Sequence, residues 1–403
     1  MPRSLISITE ARQRVLNATT PLGTETVALD DALGSVLAQE VAAAGDVPPF
    51  ACSAMDGYAV IAGDAGRTLR IVGESRAGTP SGHQLADGEA IRISTGAAIP
   101  PGATAVIPQE NVKLNGDGAI HTNSPAAPGE HIRSAGEDMR AQTVVLTAGT
   151  RLGPVELGAA AAAGVGSVIA SRRPRVAVLC TGDELRAPGE PLGPGEIHNS
   201  NAPMLTGLAR RAGAVTAPAL RLPDTRDATT EGIGQALARS DVVIISGGVS
   251  VGPHDHVKPA LDALGVRELF WSVSLQPGKP TWFGVPAAGH PLVFGLPGNP
   301  VSAVVTFSLF VAAALAALQG APAPAPPRAT AVLGVDVPRN PRREQMIRVR
   351  LTDEDDVVRA YPNGGQGSHI LTSLLGADAL ALIPSGEGEL PAGTAVTLHA
   401  LAG

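Results

Sequence analysis

This chain of 403 residues has only two cysteines, Cys52 and Cys180, and no CxxC or Cys/His spacing of the kind that binds zinc. A disulfide framework is therefore excluded, and we expect a cytoplasmic protein. Aromatic residues make up 2% of the chain, and the net charge at pH 7 is -7. Nucleic-acid binding usually needs a basic surface and aromatic stacking platforms, so we expect no nucleic-acid partner.

Long hydrophobic runs are also scarce. The N-terminal residues MPRSLISITEARQRVL lack a continuous apolar core, which is typical of an amphipathic helix and not of a signal peptide. One run, VSAVVTFSLFVAAALAAL at 301–318, is long enough to span a bilayer. It is rich in alanine and serine, lacks a basic flank and is followed by GAPAPAPPRA, so we interpret it as a buried helix or subunit interface and expect no membrane.

The region 174–320 alternates short β-branched runs with helical patterns, bounded by changes of composition near 172–174 and 320–328. This alternation predicts a doubly wound, mostly parallel sheet. In such sheets ligands bind at the carboxyl ends of the strands. The predicted strands cover 175–180, 215–221, 241–246 and 292–296, and the segments that follow them read CTGDEL, RLPD, SGGVSVG and GLPGNP.

The segment SGGVSVG has the character of an anion-binding loop. Gly247, Gly248 and Gly252 allow backbone amides to approach a phosphate that larger residues would obstruct. The loop is not a Walker motif, because Pro253 and His254 stand where lysine and Ser/Thr belong, and no GxGxxG is present. A tight turn without a ligand explains the glycines equally well.

Four acids follow the predicted strands: Asp183, Glu184, Asp224 and Asp255. Each alone is more simply explained as a helix cap. Four carboxylates at one edge of a sheet, beside an anion loop, instead favour a hard cation such as Mg²⁺ shared with phosphates, with Asp224 and Asp255 as its ligands.

Only three lysines occur among 30 Lys and Arg residues, and two of them, Lys258 and Lys279, lie near these segments. A lysine suits a tetrahedral oxyanion, although a solvated surface role remains open. In FGLPGNPVSAVV the prolines stiffen the turn, and Pro300 suits the first helical position. We therefore expect its amides and Ser302 to form a rigid anion cup, with a purely structural turn as the alternative.

Taken together, DVPPFACSAMDGYAV, STGAAIPPGATAVIPQE, IRSAGEDM, CTGDEL, SGGVSVGPHD, QPGKP, GLPGNPVSA and GQGSHIL resemble the molybdopterin molybdenumtransferase family, MoeA in bacteria and the E domain of gephyrin in animals. The motifs run in family order from about residue 20 to 388. The resemblance implies a multidomain α/β fold and a protein that forms a homodimer. Its parts would be an extended segment domain from 1–48 with 139–172, a small β domain at 49–138, a MogA-like α/β domain at 173–320 and a C-terminal β-barrel-like domain at 325–403.

The resemblance also implies a reaction: insertion of molybdate into adenylylated molybdopterin with Mg²⁺ and release of AMP. The pterin would come from a molybdopterin adenylyltransferase. Asp56 and Asp138, which look like turn residues on their own, would enter the partner's cleft across the dimer interface. By resemblance, Asp56, Asp138, Glu184, Asp224 and Asp255 are catalytic candidates, and Thr95, Arg133, Gly247, Gly248, Ser250, Lys279, Pro297, Pro300, Ser302, Arg348 and Ser368 are substrate-binding candidates.

Two departures from the family pattern leave other functions open. Ala51 and Cys52 replace the Asp-Asn pair of many relatives, which removes one acid and adds a thiol. Gln276 replaces the first lysine of KPGKP, which removes one positive charge from the expected anion cup. A non-catalytic scaffold and a specialised paralogue of the same fold are therefore the alternatives to the enzyme. The acids and the lysine of the cleft favour the enzyme.

Overall fold

The computed structural model describes residues 5–249, 255–326 and 328–401. The chain divides into two compact units. One comprises Met1–Glu25, Gly34–Ala38 and Ala170–Gly403, and the other comprises Thr26–Leu33 and Gln39–Ile169. The four-part domain division expected from the sequence stays a prediction.

The helices and strands are numbered in chain order. The helices are α1 Ile8–Asn17, α2 Pro154–Ala162, α3 Asn201–Arg211, α4 Arg226–Arg239, α5 Val257–Ala263, α6 Pro300–Thr306 and α7 Ala312–Leu318. The strands are β1 Thr24–Ala28, β2 Val41–Ala42, β3 Cys52–Ser53, β4 Gly57–Val60, β5 Thr68–Ser75, β6 Glu89–Ile93, β7 Ala105–Pro108, β8 Val112–Asn115, β9 Ala119–Thr122, β10 Ile132–Arg133, β11 Val144–Leu146, β12 Ser167–Ser171, β13 Arg175–Thr181, β14 Leu185–Arg186, β15 Ile197–His198, β16 Val215–Thr216, β17 Leu220–Leu222, β18 Val242–Ser246, β19 Val266–Trp271, β20 Leu275–Gln276, β21 Trp282–Pro286, β22 Leu292–Leu296, β23 Thr330–Leu333, β24 Val337–Pro338, β25 Glu344–Glu354, β26 Val357–Pro362, β27 Ala379–Ile383, β28 Glu389–Leu390 and β29 Ala395–Ala400.

The smaller unit is built on a six-stranded sheet in the order β7-β4-β6-β5-β9-β8. Its pairs are antiparallel except β5 with β6, which is parallel. Tyr58, Val60 and Ile120 are buried in one cluster, while Ala59 and Ile91 belong to another. Successive residues of a strand point to opposite faces, so both faces of this sheet are covered.

The larger unit contains a sheet in the order β16-β13-β18-β22-β21-β19, with β17 also pairing with β13. The pairs among β13, β16, β17, β18 and β22 are parallel, which confirms the expected mostly parallel sheet. Val242 and Ile244 face one core, and Val243 and Ile245 face another. Burial on both faces explains why these strands read as continuous apolar runs.

Two features of this sheet differ from the sequence prediction. The run 215–221 forms two short strands, β16 and β17, because Pro218 in the gap has no amide to donate to a ladder. Strands β19 and β21 were not predicted, and they extend the sheet by antiparallel pairing.

The uncharged run predicted as a buried helix is continuous from Pro300 to Leu318. It comprises α6, a π-helical turn at Phe307–Val311, and α7. Its length and composition would allow it to cross a membrane, but 94% of an 18-residue window is buried inside the protein. Burial on all sides explains the absence of charge, since a charged side chain would need a partner there.

The C-terminal region closes a ring of five strands, β25-β26-β23-β29-β27, because β27 also pairs with β25. Strand β20 continues the sheet from β25 by parallel pairing. The barrel-like end expected from the alternating short strands is confirmed, and closure leaves the ring strands with few unpaired edges.

Candidate active site

A cavity of about 760 Å³ lies in the larger unit, at the carboxyl ends of β13, β18 and β22. Thr181 and Ser246, the last residues of β13 and β18, lie on its wall, as does Gly298 in the turn after β22. Residues from all four predicted strand-end segments line it, since parallel strands bring their carboxyl ends to one edge. The predicted site residues on its wall are Glu184, Asp224, Gly247, Gly248, Asp255 and Pro300.

The diglycine at the end of β18 cannot be replaced by larger residues without strain. Gly247 and Gly248 have φ of 90° and 64°, in the left-handed region that favours glycine. A Cβ on Gly248 would lie 2.6 Å from Val257 Cγ2 and 2.9 Å from Thr181 Oγ1. The backbone of this loop is therefore held close to the end of β13 and the start of α5. Ser250, the third candidate of this loop, lies outside the described residues.

Two of the acids are linked through the backbone. The amide of Asp183 donates to Asp224 Oδ2 at 3.2 Å, and the amide of Asp224 donates to Asp183 Oδ1 at 3.3 Å. These reciprocal bonds hold the turns after β13 and β17 together. Asp224 is half-buried and Glu184 is exposed, and both line the cavity together with Asp255.

Asn201, at the start of α3, is a site residue that the sequence did not single out. Its side-chain amide donates to Ser246 Oγ at 2.9 Å and to the Gly298 carbonyl at 2.6 Å. It is 9% exposed and lines the cavity. One side chain thus joins the end of β18 to the turn after β22. The HNSN segment that contains it has no motif of its own, so only the tertiary contacts identify it.

Other wall residues were also missed by sequence reasoning, among them Cys180 and His369. Burial raises the pKa of the Cys180 thiol to about 11, so it forms part of the wall as a neutral thiol. His369 comes from the loop at 363–370, which follows β26. The C-terminal part of the chain therefore contributes to the wall of a cavity formed mainly by the α/β sheet.

The turn GLPGNP is docked on that loop. Asn299 Nδ2 donates to Ser368 Oγ at 3.0 Å, and the Val301 amide donates to the Ser368 carbonyl at 3.1 Å. The Pro297 carbonyl accepts from Ser246 Oγ at 3.5 Å. The expected anion cup is thus altered, because one of its amides is already bonded within the protein. Ser302 is 4% exposed and is not among the residues that line the cavity.

Arg348 is fully buried in β25 and faces the 363–370 loop. Its Nε donates to Ser373 Oγ at 3.1 Å, and its Nη2 donates to the Gly365 carbonyl at 2.9 Å and the Gly367 carbonyl at 3.3 Å. Within the part of the chain that the structure describes, its Nη1 has no hydrogen-bond partner. Burial lowers the pKa of Arg348 to about 10. A buried cation of this kind attracts an anion and stabilises the loop carbonyls beside it.

Lys279 lies on an exposed turn and is not among the cavity-lining residues. Its carbonyl accepts from the Val273 amide at 3.0 Å. Gln276, which stands where many relatives have lysine, accepts a hydrogen bond from the Asn340 side chain through Oε1. That position therefore serves to hold the turn against the start of β25.

The remaining candidates lie in the smaller unit. The Thr95 amide donates to Asp56 Oδ1 at 2.8 Å, so these two residues form one exposed corner. Arg133 is exposed on β10, opposite Cys52 of β3. The Asp138 amide donates to the Val47 carbonyl at 3.0 Å, and its side chain is exposed.

In the described ranges 5–249, 255–326 and 328–401, no group of three or more His, Cys, Asp and Glu residues has the arrangement of a metal site. A preformed cation cage is thus absent from the described residues. Mg²⁺ commonly uses only one or two carboxylates and takes its other ligands from water and phosphate.

A mostly parallel α/β sheet, a diglycine loop and an acid-lined cavity define a multidomain α/β protein with a cleft suited to a phosphate-bearing ligand. Three family models match along the chain: MoeA N-terminal region (domain I and II) at 6–164, probable molybdopterin binding domain at 177–317 and MoeA C-terminal region (domain IV) at 330–401. The chain belongs to the molybdopterin molybdenumtransferase (MoeA) family, as its motifs indicated.

Full-length relatives support this assignment. Molybdopterin molybdenumtransferase of Haemophilus influenzae is 35% identical over 400 residues, 98% of each chain. Molybdopterin molybdenumtransferase 2 of Mycobacterium tuberculosis is 38% identical over 381 residues, 92% of this chain and 93% of the relative. The crystal structure of the molybdopterin biosynthesis MoeA protein from Pyrococcus horikoshii OT3 superposes with a TM-score of 0.80 at 33% identity, over 98% of this chain and all of that one.

Proposed function

We propose that this chain transfers molybdenum to molybdopterin, by inserting molybdate into adenylylated molybdopterin with release of AMP. The bond between Asn299 and Ser368 is the observation that carries the proposal. It joins the phosphate-type cleft of the α/β sheet to the loop that Arg348 holds. The proposed reaction binds two oxyanions, a phosphate and molybdate. It therefore needs the phosphate-type cleft and the loop beside Arg348 at one site. The names and full-length similarity of the relatives support the same reaction.

The nucleotide-phosphate end is the diglycine side of the cavity. Gly247 and Gly248 line this end with positive φ, and a Cβ on either residue would overlap Thr181 or Val257, so the backbone can follow this course only as glycine. The Gly247 amide donates to the Leu296 carbonyl at 3.0 Å, so the Gly248 amide is the donor proposed for a phosphate. Ser250 is included in this end by family resemblance. A cavity of about 760 Å³ is large enough for a nucleotide-sized ligand.

The molybdate and pterin end lies toward the 363–370 loop. Arg348 supplies a buried positive charge beneath the loop, and Ser368 and His369 stand on it. Lys279 adds an exposed cation, which can move toward an arriving anion because its side chain is not packed. Pro297 and Pro300 contribute by stiffening the turn that Asn299 anchors, and Ser302 is included in this end by family resemblance.

The cleft acids fit Mg²⁺, because proteins commonly bind this ion through one or two carboxylates together with substrate phosphates. Asp224 and Asp255 would hold it, since both line the cavity on the diglycine side. When bound, Mg²⁺ neutralises phosphate charge during cleavage of the phosphoanhydride. Glu184, exposed on the same wall, would act as the base that accepts a proton during the reaction.

The chain would work as a homodimer in the cytoplasm, with Asp56, Asp138, Thr95 and Arg133 completing the partner's cleft. Their exposure in the smaller unit supports this role, since none of them is needed to fill a core. A molybdopterin adenylyltransferase would supply the adenylylated pterin, because its product is this substrate.

The direct test measures AMP release from adenylylated molybdopterin with molybdate and Mg²⁺. We expect release by the wild type only when molybdate is present, and a loss on the order of 100-fold or more in Glu184→Gln and Asp56→Asn. Glu231→Gln, an exposed acid on α4, is the matched control and should keep wild-type turnover. A wild type that releases no AMP would instead support a scaffold or a specialised paralogue.

A further inference from the structure

The chain has only two tryptophans, and they lie opposite each other in neighbouring strands. Trp271 of β19 and Trp282 of β21 are partners in the antiparallel register. The side chain of Trp282 is buried, and its Nε1 donates to Glu268 Oε2 at 3.0 Å. Two indoles in one cross-strand pair therefore make different contacts, and each serves as a control for the other.

Trp271 contacts the end of the diglycine segment. Its Nε1 donates to the Val249 carbonyl at 3.2 Å. Val249 follows Gly247 and Gly248 directly and is 2% exposed. A Cβ on Gly295 would lie 2.5 Å from Val249 Cγ1, so this valine packs closely against β22. The Val249 side chain and carbonyl are thus both held by neighbouring strands.

The ring of Trp271 also contacts Lys258 of α5. The Lys258 ammonium lies 3.1 Å from the ring centroid, which is a close cation–π contact. Asp255, on the cavity wall, is three residues earlier in the chain. Trp271 therefore touches the chain on both sides of residues 250–254, which lie outside the described range.

We propose that Trp271 is a positioning residue for the nucleotide-phosphate end of the cleft. Its indole N–H fixes the Val249 carbonyl, and its ring holds Lys258 at the start of α5. Together these contacts keep the Gly247–Gly248 amides and Asp255 in one arrangement. The identity of the ligand, a nucleotide phosphate, rests on the proposed function, whereas the contacts of Trp271 do not.

The physical argument comes from the glycines themselves. Gly247 and Gly248 allow the left-handed conformation but do not enforce it, because glycine also populates the other regions of φ and ψ. The Gly247 amide donates to the Leu296 carbonyl at 3.0 Å, which restrains the start of the diglycine. A second restraint after the diglycine is needed to hold the Gly248 amide in one direction. The bond from Trp271 acts on the carbonyl of the next residue, Val249, and so restricts the backbone one residue beyond the diglycine.

The first test is independent of the reaction. Hydrogen exchange of the peptide 246–258 is compared in wild type, Trp271→Phe and Trp282→Phe. Phenylalanine keeps an aromatic ring and removes the N–H donor. We expect faster exchange of this peptide in Trp271→Phe alone, with exchange elsewhere unchanged. Equal exchange in wild type and Trp271→Phe would overturn the proposal, even if Trp271→Phe lowered activity.

The second test separates positioning from chemistry. In Trp271→Phe we expect KM for adenylylated molybdopterin to rise about fivefold, the effect of one net hydrogen bond, with kcat within twofold of wild type. Trp282→Phe should leave KM unchanged. An unchanged KM in Trp271→Phe contradicts the positioning role. Absence of turnover in the wild type contradicts the proposed function instead, and the exchange experiment then decides on Trp271.

The third test uses fluorescence, because Trp282→Phe leaves Trp271 as the sole tryptophan. AMP with Mg²⁺ should change the emission of this protein, and Lys258→Met should change it without ligand, since the charge leaves the ring face. In the reciprocal protein, Trp271→Phe, the remaining Trp282 should respond to neither. Identical responses from the two indoles would overturn the assignment.

Discussion

The side chain of Asn299 donates a hydrogen bond of 3.0 Å to the hydroxyl of Ser368. Asn299 precedes the first residue of α6, and Ser368 lies in the loop after β26. The two residues are 69 positions apart in the chain, and the Val301 amide adds a second bond to the Ser368 carbonyl. The C-terminal barrel is thereby attached to the cavity wall at the point where His369 enters it.

Asn299→Ala should weaken binding of molybdate. The change removes one side-chain bond and leaves the Val301 bond in place, so we expect KM for molybdate to rise about fivefold with little change in Tm. AMP release at varied molybdate concentration measures it. Asn17→Ala, at the exposed end of α1, is the control and should have no effect on KM. A KM equal to that of the wild type would show that the loop does not depend on this bond.

Gly248→Ala should impair the phosphate end of the cleft. Alanine disfavours a φ of 64°, and its Cβ would overlap Val257 and Thr181. We expect a loss of about 1–3 kcal/mol in stability and at least tenfold weaker binding of AMP, measured by urea unfolding and calorimetry. Gly158→Ala, in α2 with nothing within 4 Å of the added Cβ, should be neutral or stabilising. Wild-type AMP affinity in Gly248→Ala would contradict the assignment of this loop.

Asp241 lies at the edge of the sheet opposite the cavity, and it should make the free energy of unfolding depend on pH. Burial raises its pKa, but hydrogen bonds from Arg175 and Arg172 outweigh burial and hold the pKa at about 2. A lowered pKa in the folded state stabilises the protein above the unfolded value of 3.8, and this contribution disappears as pH falls toward 2.

We therefore expect Asp241→Asn to lose about 2 kcal/mol of unfolding free energy at pH 7, and the difference from wild type to shrink below pH 4. Urea unfolding at several pH values measures it, with Asp117→Asn on an exposed turn as the control. A difference that stays constant from pH 7 to pH 3 would assign the loss to packing instead.

Mixed dimers test whether the sites are shared. Asp56→Asn and Glu184→Gln should each be inactive, and co-expression of the two should restore about a quarter of wild-type turnover, because half of the dimers would contain one intact site. Purified single variants mixed under conditions that prevent subunit exchange are the control. No recovery in verified mixed dimers would mean that both acids act within one subunit.

Much of the α/β domain could be predicted from the sequence, because its strands are buried on both faces and read as continuous apolar runs. The run from Pro300 to Leu318 shows the limit of composition. Its hydrophobicity fits a membrane span as well as a core helix, and only its packing distinguishes the two. Strand β19 was missed because VRELFW mixes charged with apolar residues, and β21 because the glycine and proline of WFGVP are typical of loops.

The acids and glycines of the cleft were predicted from their positions after the strands, and parallel topology brings such positions together. Asn201, His369 and Trp271 were missed as site residues for the opposite reason. Asn201 and Trp271 belong to none of the motifs, and His369 lies in GQGSHIL but only the fold brings it to the cleft from the C-terminal region.

The sequence by itself determined the family, the order of the motifs and the parallel sheet, since spacing and hydrophobic pattern are local properties of the chain. The tertiary structure decided which groups were still available to a ligand. It directed Arg348 to the carbonyls of the 363–370 loop and bonded the Val301 amide to Ser368. It also joined Asn201 to the end of β18 and to the turn after β22. Hydrogen-bond partners come from any part of a folded chain, so no local pattern records them.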